Sequence, residues 1–272
     1  MSNNDILTAA EFDAAPPHPE IVSRIEACRT RFAVPRRAFR ILDWGCGRGK
    51  LVLWLREQGY DAVGVDIDPR PFANGMELFA AKGHSTGECL HALDEAGRAP
   101  FPDSWFHFIV SWQTLEHIAD LNRVVQEFHR LTADGGEGLH VYPPHRRIVE
   151  AHLFMPFVHW LPKNKLRRWL IGVFVIAGIE PDWWPDERKP LVDKVAVYYR
   201  YSVAETFYRP PRQIQSCFSS LRFEAEFLDV EAWRRGRQWL QRRFSLGPSS
   251  NIVKTWYMNF GQNVGLATRL GK

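Results

Sequence analysis

The chain has 272 residues, 45% hydrophobic and 24% charged, with a formal net charge of +4. That length supports one good core and at most a subdomain, and the arginines are dispersed rather than gathered into a block that would grip nucleic acid. Cys28, Cys46, Cys89 and Cys217 have neither metal-knuckle nor disulfide-framework spacing, which fits a reducing cytoplasm.

The opening "MSNNDILTAAEFDAAPPHPE" has no basic n-region and no apolar h-region, so no secretory signal is expected. Ile21, Ile25 and Cys28 then recur at helical spacing and predict a helix from Pro19 to Phe32 that caps the core. "FRILDW" reads as a buried strand, "GKLVLWLREQG" as a helix closed by Gly59, and "DAVGVDID" as a second strand. This βαβ unit predicts a parallel sheet. A helix over Pro71 to Lys82, a short strand within Glu88 to Leu93, the strand "FHFIVSW", a helix from Asp120 to Leu131, a Gly-rich turn at "ADGGEG" and the strand "LHVYPP" continue the alternation.

The rhythm breaks over residues 145 to about 205, where "HLFMPFVHWLPKNKLRRWLIGVFVIAG" and "EPDWWPDERKP" are rich in aromatics and prolines. A helical lid is expected there. The run Trp169 to Ile179 would reach only about 16 Å as a helix, against roughly 30 Å of hydrocarbon, so it is too short to cross a membrane. A helix at Pro210 to Leu221, the strand "RFEAEFLDV", a basic helix from Glu231 to Phe244 and a last strand in "NVGLATRL" follow. The closing strands should form an antiparallel hairpin at the sheet edge. The expected fold is α/β, a doubly wound, mostly parallel seven-stranded sheet with a helical lid inserted after the fifth strand. Residues 1–145 would carry the cap helix and the cofactor-binding half, 146–204 the lid, and 205–272 the remaining helices and strands.

In "ILDWGCGRGK", Gly45, Gly47 and Gly49 let the chain turn tightly from strand to helix and let a ligand approach the backbone. The dinucleotide fingerprint G-x-G-x-x-G/A is not met, because Lys50 holds its third position. Asp43 at the mouth of the turn would repel a pyrophosphate and attract an ammonium or sulfonium. Asp66, ending the second strand, can accept hydrogen bonds from both ribose hydroxyls. A ligand with a ribose and a positive end describes S-adenosylmethionine. Cys46 reads as a small filler of the loop rather than a nucleophile. The spacings among His140, His145, His152 and His159 do not repeat one helical face, so surface or substrate-contacting roles are expected and no metal.

These residues resemble the class I S-adenosylmethionine-dependent methyltransferases, especially the branch of ubiquinone and menaquinone methyltransferases. "ILDWGCGRGK" is similar to the first motif of that family, "VGVDIDP" to its second, "RAPFPDSWFHFIVSWQTLEHI" to its stretch through the fourth strand, and "LTADGGEGLHVYPP" to its glycine turn before the fifth. His107 stands where the family usually has Asp, and Thr132 to Gly136 lacks the usual proline. The resemblance implies a Rossmann-like domain with Asp43, Gly45, Cys46 and Gly47 around the methionine end of the cofactor. It also implies Asp66 and Ile67 at the ribose and adenine, Glu95 and Ala96 near the adenine amino group with adjacent Asp94 open to the same role, and Trp112 and Gln113 beside the methyl group.

The expected activity is methyl transfer to an oxygen, and second to it a carbon, of a small-molecule, sugar or lipid-linked acceptor. The alternative is a non-catalytic binding or scaffold protein that retains the fold. A nucleic-acid methyltransferase is disfavoured, since "SWQT" replaces an "NPPY"-like tetrapeptide after the fourth strand. His117 in "LEHI" reads equally as a general base and as a structural histidine. His145, just past the fifth strand, reads as a base or a solvated loop residue. Glu116 could hold a backbone amide. In the lid, Phe154, Phe157, Trp160 and Leu161 beside Lys163, Lys165, Arg167 and Arg168 read either as packing or as a peripheral contact with anionic membrane. The expected location is therefore cytoplasmic, peripheral at the membrane on the second of these two readings.

Overall fold

The run Ile41–Trp44 is fully apolar except for Asp43, and it forms the centre of strand β1 (Arg40–Trp44). The computed structural model describes residues 16–181, 190–228 and 263–271. Within them β2 (Asp61–Asp66), β3 (Leu90–Ala92), β4 (Phe106–Trp112), β5 (Thr132–Tyr142), β6 (Phe223–Phe227) and β7 (Val264–Leu270) join β1 in one sheet of order β3-β2-β1-β4-β5-β7-β6. The first five strands are parallel, and β7 runs antiparallel to both β5 and β6. The order reverses between β1 and β4, the place where open α/β sheets hold ligands at their strands' carboxyl ends.

Side chains alternate across each strand, so both faces of the sheet need cover. Helices α1 (Pro19–Phe32) and α2 (Lys50–Glu57) press Ile25, Cys28, Val52 and Leu53 against Ile41 and Phe108 on one face. On the other, α5 (Leu121–Leu131) and α8 (Pro211–Ser219) bring Val125, Phe128 and Phe218 onto Leu42 and Ile109. Asp120 starts α5 as an N-cap, its carboxylate accepting from the Arg123 amide. Between β2 and β3 lie α3 (Met76–Ala81) and the single turn α4 (Thr86–Cys89).

Two local expectations change. The helix expected over Pro71 to Lys82 opens as a 3₁₀ turn, Arg70–Gly75, and becomes α-helical only from Met76. Gly75 is wedged there, since a Cβ on it would lie 2.7 Å from the Arg48 carbonyl. The segment "ADGGEG" is not a turn ahead of the fifth strand but part of β5. Pairing jumps from Phe106↔Thr132 to Phe108↔Glu137, so Ala133–Gly136 bulge opposite His107. His107 itself accepts the Arg40 amide at 3.0 Å and stacks on Phe39 at 5.1 Å, which makes it a packing residue. The basic helix expected at 231–244 lies outside the described residues.

After β5 the chain builds a separate small core. Helices α6 (Lys165–Ile176) and α7 (Leu191–Ala204) enclose Ile171, Val175 and Tyr198 with Leu153, Met155 and Val158. The opposite face of α6 exposes Leu166, Trp169, Val173 and Ile176, with Trp169 64% and Ile176 72% accessible. Among the described residues no helix is long and apolar enough to cross a membrane.

Candidate active site

The loop after β1 is pinned to the end of β2, because the amides of Gly45 and Cys46 both donate to the Val65 carbonyl, at 2.8 and 3.1 Å. Gly45 has φ of 80° and would place a Cβ 2.4 Å from Thr114, so both its backbone and its neighbour demand glycine. The Gly47 amide donates to Asp66 Oδ2 at 2.9 Å, and Asp66 Oδ1 accepts from the Asp68 amide at 3.1 Å.

Asp43 is 5% exposed, and burial, followed by the charge of Asp66, pushes its carboxyl up to about 7. It lines a cavity of about 400 Å³ with Gly45, Cys46, Trp112 and His18. The His18 ring lies 5.4 Å from that of Trp112, a contact between distant segments that no local pattern announces. A buried acid in that state gains most from a cation placed beside it. Burial, with the charges of Asp43 and Asp66, drives the Cys46 thiol far above its usual range, which suits filler and not nucleophile.

A second cavity of about 540 Å³ shares Gly45 and is lined by Asp66, Ile67, Glu95, Ala96, Gln113 and His117. Ile67 is 76% exposed there, an apolar side chain lying open beside a carboxylate. Asp94 is committed to its own turn, accepting the Arg98 amide at 2.7 Å, so Glu95 is the acidic residue on the cavity wall. Gln113 follows β4 with φ of 55°, its amide donating to Val141 O at 2.8 Å and its side chain to Asn263 Oδ1 at 3.0 Å. Such strain is held in place by these bonds.

His117 and His145 do not meet. His145 lines a third cavity, also about 540 Å³, with His159, Lys163, Arg167, Phe207 and Arg209, and this cavity shares Phe207 with the second. Burial above all, and then neighbouring cations, lowers the pKa of Lys163, and burial does the same for Arg167 and Arg209. The Lys163 ammonium donates to the carbonyls of Val203 and Thr206, at 2.6 and 2.8 Å. The Arg167 guanidinium, 4% exposed, donates to Leu161, Ser202 and His159 carbonyls. Arg167 is therefore not part of a lipid-facing basic strip, since it saturates backbone acceptors inside the helical segment. Lys163 stays exposed, with its ammonium tied to backbone carbonyls.

Of the histidines expected at the surface or against a substrate, two are buried. His140 is 1% exposed, bonded to Ser111 Oγ at 2.8 Å and stacked on Phe128 at 5.1 Å, and burial pulls its pKa down to about 3. His159 is 5% exposed, with no protein partner for either ring nitrogen among the described residues.

Glu116, His152, Glu150 and Tyr208 form a polar cluster that sequence reading missed. His117 Nε2 lies 3.2 Å from His152 Nε2, and His117 Nδ1 lies 2.7 Å from the Glu205 carbonyl. His152 Nδ1 faces Glu150 Oε1 at 3.3 Å and Tyr208 Oη at 3.1 Å. Glu150 accepts the amides of His152 and Leu153 and the Tyr208 hydroxyl; these bonds overcome its burial and hold its carboxyl near 2. The buried Glu116 carboxylate has no hydrogen-bond partner among the described residues. Residues 35 apart supply the two histidines, so spacing carried no signal.

A family model described as a methyltransferase domain matches residues 18–188. The chain belongs to this methyltransferase family. A sterol 4-C-methyltransferase of Caenorhabditis elegans is 33% identical over 96 residues, 35% of this chain and 28% of that protein. A demethylmenaquinone methyltransferase of Chlorobaculum tepidum is 26% identical over 150 residues, 54% of this chain and 57% of that one. The chain thus spans between about a quarter and just over half of these relatives' lengths. Among solved structures, an S-adenosylmethionine-dependent methyltransferase from Mesorhizobium loti superposes with a TM-score of 0.50 at 17% identity, covering 95% of this chain and 99% of that one. Phosphoethanolamine N-methyltransferase 2 of Haemonchus contortus, in complex with S-adenosyl-L-methionine, gives 0.51 at 15% identity, covering 92% and 53%. At such identities the likeness is one of fold, and it is the Rossmann-like α/β fold described above. The methyltransferase cofactor S-adenosylmethionine suits the residues present. Buried Asp43 matches its cationic end, Asp66 its ribose, and uncovered Ile67 an adenine face.

Proposed function

We propose that this methyltransferase-family chain binds S-adenosylmethionine across the first two cavities and passes its methyl to a hydroxyl oxygen of a lipid-linked or other small acceptor. The observation that carries the reading is the pair of carboxylates flanking one glycine loop, Asp43 buried with a raised pKa and Asp66 hydrogen-bonded to Gly47. The cofactor supplies a methyl already activated by a sulfonium. What the protein adds is placement, exclusion of water and removal of the acceptor's proton. Asp43 would hold the positive end, Asp66 the ribose, Glu95 and Ala96 the adenine edge, and Trp112 and Gln113 the methyl side.

For the proton, His145 is the better base. Its Nδ1 is buried without a protein partner, whereas both nitrogens of His117 are engaged. Support for a lipid-linked acceptor comes from the stripe Leu166, Trp169, Val173 and Ile176 with exposed Lys165 and Arg168 beside it, the composition of an interfacial helix. Relatives named sterol 4-C-, tocopherol O- and demethylmenaquinone methyltransferase leave the choice between oxygen and carbon to experiment.

The experiment is incubation of the chain with methyl-labelled cofactor and separate lipid and aqueous extracts, followed by identification of the labelled product. A labelled methyl ether from the lipid extract is expected. Label in neither extract, while calorimetry shows tight cofactor binding, would favour the non-catalytic alternative.

A further inference from the structure

We infer that Glu116, His117 and His152 form a site for a divalent transition-metal ion of the zinc or ferrous class, set into the wall of the cofactor cavity. Glu116 and His117 sit in the 3₁₀ turn Leu115–His117 that follows β4, and His152 comes from the segment after β5. One donor atom from each of the three lies within 4.8 Å of the other two.

The proton positions carry the argument. His117 Nδ1 lies 2.7 Å from the Glu205 carbonyl, which can only accept, so that nitrogen bears the hydrogen. In a neutral ring Nε2 then presents a lone pair. His152 Nδ1 faces Glu150 Oε1 and the Tyr208 hydroxyl oxygen, whose own hydrogen goes to Glu150, so both neighbours accept and the His152 hydrogen also sits on Nδ1. Two Nε2 lone pairs would therefore point at each other across 3.2 Å. Placing a cation between them turns that repulsion into two coordinate bonds. A carboxylate or backbone carbonyl holding Nδ1–H while Nε2 faces the metal is the support that ligating histidines usually have.

The competing arrangement is a direct hydrogen bond in which His152 Nε2–H donates to His117 Nε2. It leaves Glu116 without an explanation. That side chain is 3% exposed, and neither oxygen has a hydrogen-bond partner among the described residues. A cation held jointly with the histidines supplies the missing partner. Two imidazoles and one carboxylate suit zinc or ferrous iron, whereas magnesium and calcium prefer all-oxygen shells. Three protein ligands leave a coordination position free, and His117 also lines the cavity that holds Asp66 and Gln113. An oxygen of the acceptor is the ligand that would take it, and this last clause alone rests on the methyl-transfer reading.

The test uses the full chain, stripped with chelator and titrated with Co²⁺ in an absorption spectrometer and with Zn²⁺ in a calorimeter. Expected are one Co²⁺ per chain with visible d–d bands, displacement by Zn²⁺, and no competition from millimolar Mg²⁺. Glu116→Gln and His152→Gln should each weaken Zn²⁺ binding by about tenfold or more. Binding of S-adenosylhomocysteine by Glu116→Gln is measured in parallel to establish that the variant is folded and to separate loss of metal from loss of the cofactor site. Wild type that takes up no Zn²⁺ at micromolar concentration overturns the site. So does equal Zn²⁺ affinity in wild type and both variants, or nitrogen NMR showing a doubly protonated His152 that Zn²⁺ leaves unchanged.

Discussion

The Gly47 amide donates to Asp66 Oδ2 across 2.9 Å, so the loop after β1 and the last residue of β2 are locked to one another by the same carboxylate that faces the nucleotide cavity. Removing that carboxylate would loosen the loop and, with it, delete the acceptor proposed for the ribose. Asp66→Ala should weaken S-adenosylmethionine at least tenfold, in line with about 1.5–3 kcal/mol for charged hydrogen bonds. Asp66→Asn, which retains an acceptor for Gly47, should lose less. Calorimetry on a folded Asp66→Ala chain with wild-type affinity would remove Asp66 from the site.

Asp43 gives a pH test with a definite sign. Its carboxyl is raised to about 7 by burial first and by Asp66 second. Without ligand, folding favours the neutral acid, so this residue's contribution to stability is lost as pH rises from about 4 through about 7. A cationic ligand prefers the ionised form, so cofactor affinity should rise with pH over the upper part of that window. Asp43→Asn should bind weakly with a flat pH profile. Wild-type affinity that falls between pH 6 and 8 would contradict the role given to Asp43.

His145 should act as base at saturating cofactor. Burial, then the charges of Arg146 and Arg167, keeps its pKa below the ordinary histidine value. The kcat profile should therefore rise from acid and level off before neutrality. His145→Gln should lower kcat with cofactor affinity intact. An unchanged kcat with the true acceptor would place the base elsewhere or show that none is needed.

Membrane contact separates two groups of basic residues. Flotation with anionic vesicles should be lost on changing Leu166, Trp169, Val173 and Ile176 to Ser, and weakened by Lys165→Gln with Arg168→Gln. Arg167→Gln should instead lower thermal stability, by about 1–3 kcal/mol, because it strands the Leu161, Ser202 and His159 carbonyls. Absence of vesicle binding by wild type would leave that stripe without a membrane role.

That the residues proposed for the nucleotide lie together was legible because they are close in the chain or end neighbouring strands. Asp43 and Gly45 to Gly49 adjoin in the chain, and Asp66 follows at the end of the next strand, so strand order alone delivers them to one sheet edge. Gln113, the residue after β4, reaches the same edge in the same way. The histidines were not, because a histidine's environment is set by what packs over it: Phe128 and Phe218 enclose His140. His152 reaches His117 only through the fold of the segment after β5. The glycines of "ADGGEG" signalled irregular backbone, but whether they make a turn or a bulge depends on strand pairing, and Glu137 pairs with Phe108.

Phe207 belongs to two cavities at once. It lines both the nucleotide chamber and the cation-rich chamber, its amide donates to the Glu116 carbonyl at 2.6 Å, and its ring carries the Lys163 ammonium at 4.3 Å. Two cavities of about 540 Å³ each thus share one aromatic residue. Trimming it would enlarge both and remove the ring beneath the Lys163 ammonium, so a single substitution at position 207 changes the size of both cavities and the charge balance of one.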